Sequence, residues 1–541
     1  MAVTEETQPT VSIASSPQQS NSTPARSRTG NYLAGLLTGY AVVAAAIIIN
    51  LWLTPFTLRF LDREEYAVFA FTNDVWVWLF LFDLGTTAGL RTQVAQLTGR
   101  PDTAHLNRLA STSFFAQLVL ALCVLIAGAA LSTLFPSLLG VRPDLHEEAM
   151  AVVALLVLGA GVSLATRTFS VLLTAHQQTH VDNLIQLAML VVRAALIVLL
   201  LVAGWKLYAL AVAGLIVIIM GALLALVRCR ATLPRLAISF DFASREALRS
   251  GIGDHALWFG VLNLAAFVVY NMDRAVAARV VSFESVTTWT LTGQVYSLAG
   301  VLIMQMSTTA LPGLGQLIGE GDTQTAFATY RRLIVLCTGI GVVAALTLWA
   351  GNEAFVAWWV GAKHYGGAWL DAALALNLVF AAWTMSSRTM LMAMIMVRPL
   401  ALCRTVEAAI NLGLSIFLAQ RLGLVGIAAA TAIAGLLTSC WYIPRLVAGR
   451  FRHTFSELAR HVLVPLTLLT LFLLPAAWGM RFLGEGMGIG GALLAMCVVG
   501  ALGLVLLWSF AFDADMRVRA IDITAQIVRA LQKRFSIARR S

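Results

Sequence analysis

Long apolar segments separated by short polar ones run through almost the whole of this 541-residue chain. A helix of about 20 apolar residues crosses the hydrocarbon core of a bilayer, and about fourteen segments meet this requirement. They lie near 33–57, 66–90, 110–135, 148–174, 182–203, 207–227, 251–281, 285–311, 332–351, 368–396, 401–420, 424–447, 461–480 and 488–512. The pattern predicts an all-α polytopic membrane protein.

Composition strengthens this prediction and narrows the range of partners. The chain is 59% hydrophobic and 12% charged, whereas soluble domains carry about 25% charged residues. A net charge of +10 could indicate nucleic-acid binding, but the arginines fall in short loops between apolar segments. Such arginines set membrane topology and contact lipid headgroups, so we expect membrane lipids as partners and no nucleic acid.

The distribution of positive charge predicts how the chain is oriented. With the N-terminus in the cytoplasm, inner loops hold about three times as many Lys and Arg residues as outer loops. Arg404 counts with the inner residues and Arg481 with the outer ones. An odd number of spans would destroy this bias, so both termini are expected in the cytoplasm.

Two stretches of the chain resemble each other. The segment Gln96–Asp102 matches Gln316–Asp322 at an offset of 220 residues, and the same offset relates Arg59 to Arg279. Chance similarity in an apolar chain is the alternative to a duplication. A duplicated membrane protein places its binding cavity where the repeats meet.

The repeat divides the chain into two six-span parallel lobes followed by two extra C-terminal helices. The six predicted parts are a disordered cytoplasmic tail (1–30), a first lobe (31–227), a cytoplasmic linker (228–250), a second lobe (251–448), the last two spans (449–512) and a basic amphipathic cytoplasmic tail (513–541). For the final segment, an ordinary solvated tail is the alternative.

Sequence motifs for enzymatic chemistry are absent. No glycine is followed by lysine, which excludes a Walker A loop, and there is no His-Glu-x-x-His motif. The spacing of Gly486, Gly488 and Gly491 fits a dinucleotide fingerprint, but the segment joins two predicted spans and follows no strand. With short outer loops as well, we expect no enzyme, no cofactor and no metal site.

Four arginines fall inside predicted spans, where each costs about 2.5–3.5 kcal/mol if it faces lipid. They are Arg167, Arg193, Arg274 and Arg388. Arg193 is the most informative, because its span otherwise consists of apolar residues. The four are predicted to bind an anionic substrate in a cavity. The alternative is that each arginine neutralises a buried acid and holds the lobes together.

Acidic residues within the spans are candidates for coupling to an ion. Asp74 and Asp83 are nine residues apart, which places them on opposite faces of a helix, so they cannot form one site. Asp83 lies at a helix end, where a local partner is expected. Asp74 and Asp273 are therefore the predicted ion-coupling residues.

Several short motifs, in this order, resemble the polysaccharide-transport family (oligosaccharide flippases, Wzx-type) of the MOP (MATE-like) superfamily. They are Leu61–Tyr66, Phe82–Gly85 with Arg91, Asn271–Arg274 followed by Pro312 and Gly319-x-x-Asp322, Asn411–Leu414, and Gly423–Thr431. The resemblance covers roughly residues 31–510.

The resemblance implies a flippase of the bacterial inner membrane. Such a protein translocates polyprenyl-pyrophosphate-linked oligosaccharide by alternating access, for lipopolysaccharide, capsule or exopolysaccharide synthesis. It also implies roles for Asp273, Arg193 and Arg274, with polysaccharide polymerase and glycosyltransferases as candidate partners. A multidrug cation or ion antiporter of the same superfamily is the alternative, although the buried charge here is mainly basic. A membrane glycosyltransferase or polymerase is disfavoured by the short outer loops.

Overall fold

The computed structural model describes residues 25–70, 103–175, 179–244, 254–485, 487–512 and 517. In this part of the chain, thirteen helical segments are long and apolar enough to cross a membrane. These helices coincide with thirteen of the predicted spans and confirm the all-α polytopic class. The remaining predicted span, near 66–90, and the tail at 513–541 fall mostly outside the described residues.

In the described part of the first half there are five long helices. They are α1 (Ala25–Thr57), α2 (Thr103–Leu139), α3 (His146–Ala175), α4 (Thr179–Val202) and α5 (Lys206–Thr232). Helix α1 packs against α4, α2 against α3, α3 against α5, and α4 against α5. Helix α1 begins six residues before the boundary that composition predicted for the N-terminal tail.

The second half repeats these pairings. Its helices are α6 (Asp254–Val276, continued by a π-helical turn at Ala277–Val281), α7 (Ser285–Thr309), α8 (Leu311–Gly319), α9 (Thr323–Trp359), α10 (Ala368–Ala393), α11 (Val397–Leu422), α12 (Leu424–Leu437) and α13 (Ser439–Arg450). Helix α6 packs against α11, α9 against α10, α10 against α12, and α11 against α12. This correspondence supports the proposed duplication, whose lobe boundaries remain a prediction.

The last two helices, α14 (Phe455–Glu485) and α15 (Gly488–Phe510), pack on α9. A side chain at Gly351 of α9 would place its Cβ 2.9 Å from the carbonyl oxygen of Ala492, so glycine permits this close approach. Arg481 of α14 is only 8% exposed and reaches Asp371 of α10 at 3.1 Å. The sequence predicted that this span ends at residue 480, whereas α14 extends to Glu485 and so carries Arg481.

A docked segment joins the two halves. Residues 233–244, called the strap here, follow α5 and run along one end of α2. Three polar side chains of α2 accept hydrogen bonds of 3.0–3.2 Å from strap main-chain N–H groups: Asn107 from Ala237, Ser111 from Ser239, and Thr112 from Ser244. The described part of the predicted linker is thus fixed to the first half.

The two halves also touch at the end of the molecule that the arginine distribution predicts to be outer. One apolar core includes residues of both halves there, among them Tyr66 and Phe283. Polar contacts cross the same junction: Arg63 with Glu284 and with the carbonyl of Lys363, Thr287 with the carbonyl of Arg63, and Trp359 with the carbonyl of Leu51. This junction is called the closed end below.

Candidate functional site

A polar stripe runs along one face of α6. Asn263, Tyr270 and Arg274 are separated by seven and four residues, which places them on the same side of a helix. Asn263 is exposed, Tyr270 is 51% exposed and Arg274 is half-buried. Helix α6 packs on α11, with Ala265 and Val269 buried against Ala408. Sequence reasoning identified Arg274 but missed the other two, although helical spacing from Arg274 would have found them.

Arg388 of α10 joins this stripe. Its Nη1 donates a hydrogen bond of 2.7 Å to the hydroxyl of Tyr270, and its Nη2 donates one of 2.5 Å to Thr384. No carboxylate among the described residues forms an ion pair with it. Through its hydrogen bond to Tyr270, Arg388 contacts α6 one turn before Asp273 and Arg274.

A second arginine lies beneath Tyr270. Arg404 of α11 is 2% exposed, and its guanidinium carbon is 5.3 Å from the centre of the Tyr270 ring. Its Nη1 lies 2.6 Å from Oε1 of Glu407, whose other oxygen accepts a hydrogen bond from Ser439. The charge count placed Arg404 among the inner-side residues, and the structure adds that α11 begins at Val397 and buries this side chain.

Asp273 lies in a separate group of oxygen atoms between α6, α11 and α12. It is 7% exposed, and its Oδ2 is 3.5 Å from the hydroxyl of Thr431, which also accepts a 2.8 Å hydrogen bond from the amide of Asn411. Asn411 Oδ1 and the hydroxyl of Ser415, one turn further along α11, are buried without a hydrogen-bond partner in the described structure. Hard cations prefer such oxygen ligands.

In the first half, Arg193 is half-buried on α4, and its Nε has no hydrogen-bond partner among the described residues. Asp182 and Gln186 share its helix face. Asp182 instead accepts hydrogen bonds from Ser170 (2.5 Å) and from Gln186 (2.9 Å). No described carboxylate pairs with Arg193, so the alternative that it neutralises a buried acid finds no support in this part of the chain.

Two candidates remain, Arg167 and Asp74. Arg167 is half-buried on α3. The contacts described above do not join Arg167 or Arg193 to the α6 stripe. Asp74 lies outside the described residues. No group of three or more His, Cys, Asp or Glu side chains suited to a metal occurs among the described residues.

Known proteins with a similar sequence or fold were compared with this chain. The sequence model of the MatE family matches residues 40–199. No curated protein matches the chain by sequence. Among solved structures, an inward-facing multidrug-resistance MATE transporter of the MOP superfamily is 18% identical, with 77% of this chain and 95% of that chain covered and a TM-score of 0.60.

Two other structures extend the comparison. The lipid II flippase MurJ, in an inward closed conformation, is 13% identical, with 88% of this chain and 99% of that chain covered and a TM-score of 0.61. A MOP superfamily transporter from Pyrococcus furiosus, described as having a binding pocket of reverse polarity, is 17% identical, with 79% and 96% covered and a TM-score of 0.55. At these identities the likeness establishes the fold. The chain has the fold of MOP superfamily transporters.

Proposed function

We propose that this chain is a flippase that moves polyprenyl-pyrophosphate-linked oligosaccharide across the bacterial inner membrane by alternating access, for lipopolysaccharide, capsule or exopolysaccharide synthesis. One observation carries the proposal. Arg193 and Arg388 lie within membrane-spanning helices and have no described carboxylate partner, and the described hydrogen bonds of Arg388 go only to hydroxyl groups. Uncompensated guanidinium groups at this depth favour an anionic substrate.

Pyrophosphate suits these side chains. A guanidinium group donates two parallel charge-assisted hydrogen bonds to phosphate oxygens, which a lysine ammonium group cannot do in the same geometry. In this proposal Arg193, Arg274, Arg167 and Arg388 contact the headgroup while the polyprenyl tail stays in the bilayer. With a negative cell interior, outward movement of anionic charge gains about 2.3 kcal/mol per charge per 100 mV.

The closed end supports alternating access. Alternating access requires that the two halves separate at one end while they close at the other. The few polar contacts that join the halves here, such as Arg63 with Glu284, are suited to exchange, because their side chains are 33% and 53% exposed. Exposed ion pairs contribute only about 0–1 kcal/mol.

Asp273 is proposed as the ion-coupling residue, together with Asp74. Thr431, which hydrogen-bonds to Asp273, and Asn411, which hydrogen-bonds to Thr431, offer a cation further oxygen ligands beside this carboxylate. Asp273→Asn should leave the protein folded and abolish the dependence of transport on the cation gradient. The measurement is transport into vesicles that contain the Asp273→Asn variant, with an imposed Na⁺ or H⁺ gradient. If transport still responds to the gradient, Asp273 does not have this role.

The alternative function is a multidrug cation antiporter of the same superfamily. The buried carboxylate of Asp273 and the likeness to MATE transporters favour it. The basic character of the α6 stripe opposes it, because a cationic drug would be repelled by Arg274 and Arg388.

Deletion of the gene distinguishes the two. Accumulation of lipid-linked oligosaccharide in the inner leaflet supports a flippase, whereas unchanged glycans with drug hypersensitivity support an antiporter. In complementation, Arg193→Ala should abolish glycan export at normal protein level, and Arg193→Lys should restore it only partly. Arg421→Ala is the matched control, because Arg421 is an exposed arginine at the end of α11.

A further inference from the structure

We propose that Tyr270 and Arg388 form a binding site for one phosphate group in the second half, and that Arg404 is a positioning residue for it. This inference deepens the proposed function, because it assigns the phosphate of the lipid headgroup to particular atoms. Sequence reasoning did not identify Tyr270 or Arg404 as part of any site.

The first argument is the hydrogen-bonding capacity that remains at Tyr270. Its hydroxyl oxygen accepts from Nη1 of Arg388, and no described group accepts the proton of that hydroxyl. Each Nη of Arg388 carries a second N–H besides the one given to Tyr270 or Thr384. A phenolic O–H and a guanidinium thus present donors from adjacent positions, as a tetrahedral oxyanion requires.

The second argument is access. Tyr270 is 51% exposed, although it lies in the middle of a membrane-spanning helix. It shares its face of α6 with Asn263 and Arg274, both polar. A lipid-facing stripe would be apolar in a transmembrane helix, so this polar face borders a space that admits polar ligands.

The third argument is the charge beneath the site. Arg404 lies 5.3 Å from the Tyr270 ring and is fixed by Glu407, which Ser439 holds in turn. Among the described residues, Glu407 is the one carboxylate that pairs with Arg388 or Arg404, so one positive charge of this group has no described acidic partner. A cation under an aromatic ring withdraws electron density from it and makes the phenolic O–H a stronger donor. The arrangement therefore favours an anion beside the Tyr270 hydroxyl, where the O–H and the guanidinium of Arg388 both present donors.

The experiment is equilibrium binding to the purified full-length protein in nanodiscs, with polyprenyl pyrophosphate and inorganic pyrophosphate as separate probes. Tyr270→Phe keeps the ring over Arg404 and removes only the hydroxyl. It should weaken binding of the lipid about tenfold, the loss typical of a hydrogen bond to a charged group. Tyr208→Phe, the same change outside the site, should leave binding unchanged.

The two probes identify the source of the phosphate. Weaker binding of both probes to Tyr270→Phe supports a site that recognises the phosphate itself. A loss confined to the lipid supports a site that requires the headgroup in its membrane setting. Binding of both probes to Tyr270→Phe within twofold of the wild type overturns the proposal.

The role of Arg404 needs a variant that stays folded. The double variant Arg404→Met with Glu407→Leu removes both charges and retains the packing volume. Weaker lipid binding at an unchanged melting temperature supports a positioning role, and unchanged binding would mean that Arg404 is only structural.

The binding site and the proposed function can fail separately. If the protein exports no glycan, phosphate binding that depends on Tyr270 still supports the site. Export with normal binding by Tyr270→Phe would reject the site and leave the proposed function standing.

Discussion

The indole nitrogen of Trp359 lies 2.5 Å from the carbonyl oxygen of Leu51 and donates a hydrogen bond to it. In a regular α-helix this carbonyl would accept from the residue four positions later, but that residue is Pro55, which has no N–H. A side chain of the second half thus satisfies a main-chain group that proline leaves open in the first half. The closed end depends on this complementarity.

Trp359→Phe should therefore loosen the closed end. The substitution keeps an aromatic ring at a position only 7% exposed and leaves the Leu51 carbonyl unsatisfied, which costs about 1–3 kcal/mol. Hydrogen exchange of the main chain at 51–66, measured by mass spectrometry, should become about tenfold faster or more. Trp358→Phe is the control, because Trp358 is 62% exposed.

Pro55→Ala tests the cause. Alanine restores a main-chain donor for Leu51, so the effect of Trp359→Phe should be smaller in the Pro55→Ala background than in the wild type. Equal effects in the two backgrounds would show that the hydrogen bond is not what holds this end.

Removing one partner of the buried ion pair between Arg404 and Glu407 should strongly destabilise the protein. Both side chains are almost fully buried, at 2% and 6% exposure. Glu407→Gln leaves the Arg404 charge uncompensated and should destabilise the protein by about 3–5 kcal/mol. Glu284→Gln, which breaks the exposed pair with Arg63, should cost about 0–1 kcal/mol. Thermal unfolding in detergent measures both changes in stability. Similar losses for Glu407→Gln and Glu284→Gln would contradict the expectation that the buried pair matters more than the exposed one.

Arg481 should attach α14 and α15 to the second half. It reaches Asp371, which is 0% exposed, at 3.1 Å and also pairs with Glu353 at 2.6 Å. Arg481→Leu would leave the Asp371 carboxylate buried without its cation and should cost about 3–5 kcal/mol of unfolding free energy. Arg421→Leu, at an exposed position, should have little effect. A wild-type melting temperature for Arg481→Leu would show that packing alone holds these helices.

Acid should weaken the closed end through His364. Burial lowers the pKa of His364 to about 4, and the positive charges of Arg63 and Lys363 act in the same direction. The unfolded chain has a pKa of about 6.5 here, so it binds the proton first as pH falls. The stabilising effect of the neutral ring is complete above pH of about 6.5 and is lost progressively toward pH of about 4.

The measurement is the melting temperature of wild type and His364→Gln at pH 7.5 and pH 5. Wild type should lose more stability on acidification than the variant does, because glutamine does not titrate. The pKa of Asp62, in the same part of the molecule, is lowered: burial raises it, but hydrogen bonds from Glu65 and Arg142 outweigh that effect. Equal losses in the two proteins would exclude His364 as the cause.

Hydrophobic periodicity and charge distribution were enough to predict the fold class. Each apolar segment must satisfy its main-chain groups internally in a bilayer, so length and composition determine where helices form. The same reasoning could not separate α12 from α13, which the sequence predicts as one span and which the structure breaks at Thr438.

The candidate site was predicted only in part. Arg193 and Arg388 stood out because arginine is costly in an apolar span, and the structure gives neither a described acidic partner. Arg404 was missed because it lies near the end of a predicted span. There, the count of Lys and Arg on each side of the membrane cannot distinguish a loop residue from one in a buried helical turn. Tyr270 was missed because its importance depends on contacts from α10 and α11, which a linear pattern does not contain.

The strap has a consequence for how the molecule could be divided. Because its main chain is bonded to Asn107, Ser111 and Thr112 of α2, everything up to Ser244 belongs physically to the first half. A break in the chain between 245 and 253 would cut none of these bonds. Two separately encoded fragments, held together by the contacts of Trp359 and its neighbours, should therefore reassemble in the membrane into a working pair.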